Sequence, residues 1–167
     1  MENNTDSSYK SDEEDKLEYT MPQHEAQRLI NIRKEALSTK EYVYPKPGDG
    51  LEIPLISEDR ADEFKLTIRQ GGIVLSKKVT TQLREKNTNT ILVRLDLGNK
   101  PHVNPDGTRL NCPHIHIYKE GYGDRYAEPL PKDIFTNPDN VSITFKEFLK
   151  YCNVTKNIKI NGEIGLW

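Results

Sequence analysis

A chain of 167 residues that is 34% hydrophobic and 30% charged, with a formal net charge of -2, suits one domain able to bury a core without disulfide staples. No apolar run reaches bilayer-spanning length and no basic and apolar leader follows Met1, so the expectation is a cytoplasmic protein that is neither exported nor membrane-inserted, with cysteines free or metal-bound. Lys and Arg are not clustered into a basic face, which argues against direct nucleic-acid binding.

The mean hydropathy of -0.78 is polar for a folded domain, and the first segment of the chain accounts for much of it. In "MENNTDSSYKSDEEDKLEYT" seven acids face two lysines, leaving residues 1–20 five charges negative and the remainder three charges positive. Segments of this composition lack the apolar surface to offset the entropy of ordering. We therefore expect a disordered acidic tail over 1–20 and a single α+β domain over 21–167. Such a tail either solvates the chain or imitates a phosphate backbone before a basic partner surface.

Pro22 sits where a first-turn proline belongs, and Ala26, Leu29, Ile30 and Leu37 share one stripe. This predicts a helix ending near Ser38. "YVYPKPGDG" then breaks the helix with two prolines and two glycines. "LEIPLIS" and "FKLTIRQ" alternate apolar with polar residues, and Gly71-Gly72 offers a tight turn into "IVLSKKVTTQLRE". After "KNTNT", "ILVRLDLG" places Ile91, Val93, Leu95 and Leu97 inward, with Leu92, Arg94 and Asp96 on the other face. "NPDG" at 104–107 is a β-turn in which Pro105 presets φ, Asn104 caps and Gly107 closes. His114 to Tyr118 is the next strand, with Ile115 and Ile117 inside and His114, His116 and Tyr118 opposite. Asp139 or Asn140 caps a second helix whose apolar stripe is Val141, Phe145, Phe148, Leu149 and Cys152. "IKINGEIGLW" reads as a closing hairpin anchored by Trp167. The order predicts an α+β fold, an antiparallel meander flanked by an N-terminal and a C-terminal helix.

Chemistry concentrates in "NCPHIHIYKEGYGDRYA", where His114 and His116 stand two apart on a strand and project to one side. His-x-His on a strand is one way to hold zinc, with His102 as a third nitrogen and Cys112 as a thiolate. Asp96 would lie on a facing strand if 91–97 pairs with 114–118, as a ligand or as the group that orients an imidazole. Four protein ligands (His102, Cys112, His114 and His116) make a closed structural site, whereas three with a water make an open, reactive one. The same strand histidines also suit ordinary hydrogen bonding without metal. As acid and base on a phosphodiester they would rely on Arg94, Arg109, Lys119 or Arg125, but the hydroxyl two residues after each histidine that two-histidine phosphodiesterases carry is absent. A Cys112 nucleophile is weaker still, and Cys152 belongs to the core.

The stretch "PHVNPDGTRLNCPHIHIYKEGYGDRYAEPLP" resembles an uncharacterised family of small bacterial and phage-associated proteins. They share a Pro-His-x-Asn-Pro-Asp-Gly turn, a Pro-His-hydrophobic-His-hydrophobic-Tyr strand and a Glu-Gly-Tyr-x-Asp loop. The matching positions are His102, Asn104, Asp106, His114, His116, Tyr118, Glu120, Gly121, Tyr122 and Asp124. The likeness extends over most of residues 22–153, including "LVRLDLG" and "FLKYCN", and excludes the acidic tail. It assigns no residue a role. Its association with mobile elements implies a protein that binds and blocks a host defence component, a CRISPR effector among them.

The reading these observations favour is a zinc-binding interaction protein, acting by occupancy, whose metal braces the 98–113 segment. Tyr118, Tyr122, Asp124 and Tyr126 would meet the partner, a host or defence protein. The alternative is a metal- or His-dependent hydrolase of a phosphate ester or nucleotide, with His114 and His116 as ligands or as an acid and base pair. A third is an antitoxin-like or regulatory partner without metal. Deleting residues 1–20 is expected to leave the melting temperature unchanged by differential scanning fluorimetry, whereas a large drop refutes the tail assignment.

Overall fold

The computed structural model describes residues 20–72, 78–98, 100–156 and 158–161. The acidic tail up to residue 19, the start of the expected 73–85 strand and the hairpin beyond Asn161 with Trp167 lie outside them. Among the described residues no helix is long and apolar enough to cross a membrane.

Helix α1 spans Gln23–Asn31, with Pro22 at its N-cap. It stops well before Ser38, the first correction to the periodicity argument. Ile32 leaves the helical region at φ -59 and ψ 141, and Lys34–Ala36 becomes strand β1. Leu37, assigned above to the buried stripe, is 49% exposed. The cause is tertiary, since Lys34 N donates to Asn153 O at 2.9 Å and the fully buried Lys34 side chain turns back toward the helix ends. Its Nζ donates to Ile30 O and Ile32 O, both at 2.8 Å, and to Cys152 O at 2.9 Å. Burial pushes the ammonium down to about 8, against Cys152 and the Asp62 charge, and its three hydrogen bonds join the C-terminal ends of both helices.

The remaining elements are β2 (Glu41–Val43), β3 (Gly50–Ser57), β4 (Glu63–Gln70), β5 (Val79–Glu85), β6 (Ile91–Leu97), β7 (His102–Val103), β8 (Arg109–Leu110), β9 (His114–Ile117) and β10 (Ala127–Pro129). They are followed by α2 (Val141–Tyr151), β11 (Val154–Lys156) and β12 (Lys159–Asn161). The fold is α+β, with a mostly antiparallel eight-stranded sheet in the order β10-β9-β6-β5-β4-β3-β1-β11. A plain meander matches it only in part: β11 adds parallel to β1, and β2–β12 and β7–β8 form separate two-stranded sheets. The Gly71-Gly72 connection is also wider than a two-residue turn, because Gly71 N donates to Lys78 O at 2.7 Å.

Alternation decides which face is apolar. Phe64, Leu66 and Ile68 of β4, Val93 and Leu95 of β6, and Ile115 of β9 form one core with Ala26, Leu29 and Ile30 of α1 and Phe145, Phe148 and Cys152 at α2. Asn140 caps α2, its side chain accepting from Ile143 N at 3.0 Å. Leu92 departs from the predicted alternation. The β5–β6 register shifts so that Leu83 faces Val93 and Arg84 faces Ile91, and the extra residue of this bulge is turned into the core. Both helices add to a single core, and the opposite face of β5, β6 and β9 is left to polar side chains.

Replacing Lys34 removes a buried charge but leaves three carbonyls without their donor. The second effect dominates, and Lys34→Met is expected to lower stability by about 2 kcal/mol in urea denaturation.

Candidate metal centre

Strands β6 and β9 pair antiparallel with Asp96 opposite His114 and Arg94 opposite His116. Directly opposed residues share a face, so two imidazoles, a carboxylate and a guanidinium meet on the side away from the helices. His114 is 3% exposed and His116 fully buried. The 98–113 excursion, folded into the β7–β8 ribbon, passes beside them. "NPDG" closes this ribbon as read, with Gly107 N on Asn104 O at 2.9 Å and Gly107 at φ 87. The Asn104 side chain does something else: it fastens the ribbon to β10, accepting from Ala127 N at 2.8 Å and donating to Ala127 O at 3.0 Å.

Asp96 Oδ2 lies 3.5 Å from His114 Nε2 and 3.2 Å from His116 Nε2. On the far side of each ring, His114 Nδ1 is 3.1 Å from Asn111 O and His116 Nδ1 is 2.8 Å from Asp124 O. A neutral imidazole has one donor and one acceptor. Each ring here faces an oxygen at both nitrogens, so one contact per ring is unmatched unless a positive group enters. With Nδ1 donating to the carbonyl, both Nε2 lone pairs turn toward Asp96.

Arg94 supplies part of that positive charge. Its Nη2 lies 2.8 Å from His116 Nε2, its Nε donates to Asp96 Oδ2 at 3.0 Å, and its Nη1 donates to the Asp124 carboxylate. Among the described residues His114 Nε2 meets no such cation, only Asp96 Oδ2. Burial lowers the His114 pKa, against the Asn111 carbonyl and the Asp96 charge, which favours the neutral ring. Burial would raise Asp96, but a hydrogen bond from His116 whenever that ring also carries a proton on Nε2, the Arg94 charge and the Thr80 hydroxyl outweigh it and hold the carboxyl well below its usual range. Thr80 Oγ1 donates to Asp96 Oδ1 at 2.8 Å.

The potential ligand atoms of Asp96, His114 and His116 lie within 4.8 Å of one another. His102 stands next to them, its ring centroid 4.6 Å from that of His116 and 5.7 Å from that of His114, with Nε2 donating to Arg125 O at 2.8 Å. Three imidazoles from two stretches thus converge. Cys112 does not join them: its thiol donates to Lys100 O at 3.0 Å and sits 3.6 Å from Nδ1 of His114, the nitrogen turned away from Asp96. Burial raises the Cys112 thiol pKa, with the Asp96 charge adding to it, which disfavours a thiolate nucleophile.

The residues assigned to a partner surface divide. Tyr118 is 5% exposed and donates its hydroxyl to Met21 O at 2.6 Å, so it pins the start of α1 instead of meeting a partner. Asp124 serves the cluster through its carboxylate and its carbonyl. Tyr122 is 40% exposed and packs edge-to-face on Tyr126 at 4.9 Å, with Lys119 4.1 Å from the Tyr126 ring. Thr80 and the carbonyls of Asn111 and Asp124 were missed as supports, because cross-strand neighbours and backbone acceptors carry no sequence signal before the pairing is known.

A cavity of about 490 Å³ opens beside the cluster, lined by Asp96, His102, Cys112 and His114 and by Arg69, Lys78, Arg94 and Lys100. Residues 21–154 match a family described as a family of unknown function, DUF6978. The chain belongs to that family. The matched span holds every residue of the cluster and its cavity. No curated protein and no solved structure matches.

The depressed Asp96 carboxyl sets a pH dependence. Its folded pKa lies below the unfolded value, so its contribution is complete above about pH 4 and is lost as pH falls through the folded pKa. The stability difference between the chain and Asp96→Asn, measured by urea denaturation, is expected to shrink as pH falls below about pH 4.

Proposed function

We propose that this chain is a metal-binding domain in which Asp96, His114 and His116 hold one divalent cation and leave a coordination position open to the cavity. The carrying observation is that two buried imidazoles aim Nε2 at one carboxylate oxygen while backbone carbonyls hold both Nδ1 atoms. Such outer hydrogen bonds fix the tautomer that leaves Nε2 free to ligate. Two imidazoles and a carboxylate suit zinc, and ferrous iron takes the same donor set. When bound, the cation would act as a Lewis acid on a bound oxygen. Arg94 and the cation draw on the same His116 Nε2, so loading requires that hydrogen bond to break.

Three protein donors and an adjoining cavity favour an open site over a closed brace. Cys112 stands on the wrong side of His114 to complete a four-ligand shell. This supports a metal-dependent hydrolase acting on a phosphate ester or nucleotide. A second reading, occupancy of a host or defence protein, is supported by the exposed Tyr122 stacked on Tyr126, because rigid aromatics make good interface anchors.

Protein purified without a histidine tag is expected to take up about one zinc per chain in elemental analysis and calorimetric titration. His114→Ala and His116→Ala are expected to abolish uptake, and Cys112→Ser to preserve it. Wild-type protein that takes up no metal, or histidine variants that bind as well as wild type, refute the centre.

A further inference from the structure

We propose that the cavity beside the His114 and Asp96 pair is a subsite for the phosphate group of a phosphorylated small molecule. The proposal rests on the metal-centre reading and deepens it by assigning the residues that would hold the substrate's phosphate, and the anion site can be tested without the metal.

The register of the sheet builds its floor. Arg69 of β4 pairs with Thr80 of β5, Thr80 with Asp96 of β6, and Asp96 with His114 of β9. Opposed residues share a face, so this row runs from a guanidinium at one side to the histidines at the other. Lys78 and Lys100 stand at the rim, just beyond the paired ends of β5 and β6, where Val79 faces Leu97. Gly98 brings the two ends together. Its φ is +143, and a Cβ there would lie 3.1 to 3.2 Å from Lys78 atoms, backbone Cα included.

Charge then selects the ligand. Four cations (Arg69, Lys78, Arg94 and Lys100) and one carboxylate line the cavity. That carboxylate, Asp96, is already matched by Arg94 and Thr80. Among the described residues Arg69, Lys78 and Lys100 form no ion pair, and Arg69 and Lys100 are exposed. Guanidinium and ammonium groups that line one cavity without a carboxylate partner suit a phosphate, the guanidinium by a forked pair of hydrogen bonds. A volume of about 490 Å³ is within the range of small-molecule sites and exceeds one phosphate group, leaving room for the group that carries it.

The test is calorimetric titration of the full chain with inorganic phosphate and with adenosine monophosphate, in the presence of zinc and after chelation. Both ligands are expected to bind, the nucleotide more tightly, and binding should weaken with salt. The double variant Arg69→Gln, Lys100→Gln is expected to lose about tenfold for both ligands while keeping its melting temperature. Lys78→Gln serves as an independent variant at the rim. Chelated protein that still binds phosphate, with the same loss in these variants, supports the anion subsite even if the zinc experiment fails. Absence of binding in the wild type overturns the subsite, as do affinities unchanged in both cation variants.

Discussion

The pairing of β6 with β9 is the constraint on which the site depends. It sets Asp96 against His114 and Arg94 against His116, and one antiparallel register thereby decides both the core and the chemistry. On one face it aligns Leu95 with Ile115 and Val93 with Ile117 beneath the helices. On the other it gathers two imidazoles around one carboxylate. A slip of one residue would exchange the faces, burying the carboxylate among leucines and exposing the apolar row. The core therefore enforces the register, and the register assembles the polar cluster.

A polar cluster this buried persists only if its groups are matched. Most are. Arg94 spans Asp96, Asp124 and His116, Thr80 holds the second Asp96 oxygen, and two backbone carbonyls fix the Nδ1 atoms. The β7–β8 ribbon is held in turn by Asn104 on Ala127 and by His102 on the Arg125 carbonyl. The mismatch left over lies at His114 Nε2, on the wall of the cavity. A fold that satisfies the surrounding polar groups and leaves its imbalance at a cavity wall has the pattern of a binding site, where pairing is completed by what enters. The helix-side counterpart is Lys34, whose ammonium closes two helix ends.

Much of the local structure was legible in the chain. The strand alternation of "FKLTIRQ" and "ILVRLDL", the "NPDG" turn, the cap at Asn140 and the common face of His114 and His116 follow from period two, period 3.6 and turn chemistry. Where the reading failed, a distant partner outweighed local preference. The stripe to Leu37 was cut short because Lys34 found Asn153 and Cys152, residues far along the chain. Leu92 left its assigned face at a bulge, and Tyr118 turned inward to reach Met21.

The amino-acid sequence by itself determined which residues can share a face and that three of the four imidazoles fall in one stretch of chain, because side-chain direction along a strand is a local property of the backbone. Only the tertiary structure decided that Asp96 lies between the two rings, that Cys112 meets the wrong nitrogen of His114, and that Arg69, Lys78 and Lys100 border the same cavity. Those relations depend on strand order and register, which are set by burial summed over the whole core and not by any single segment.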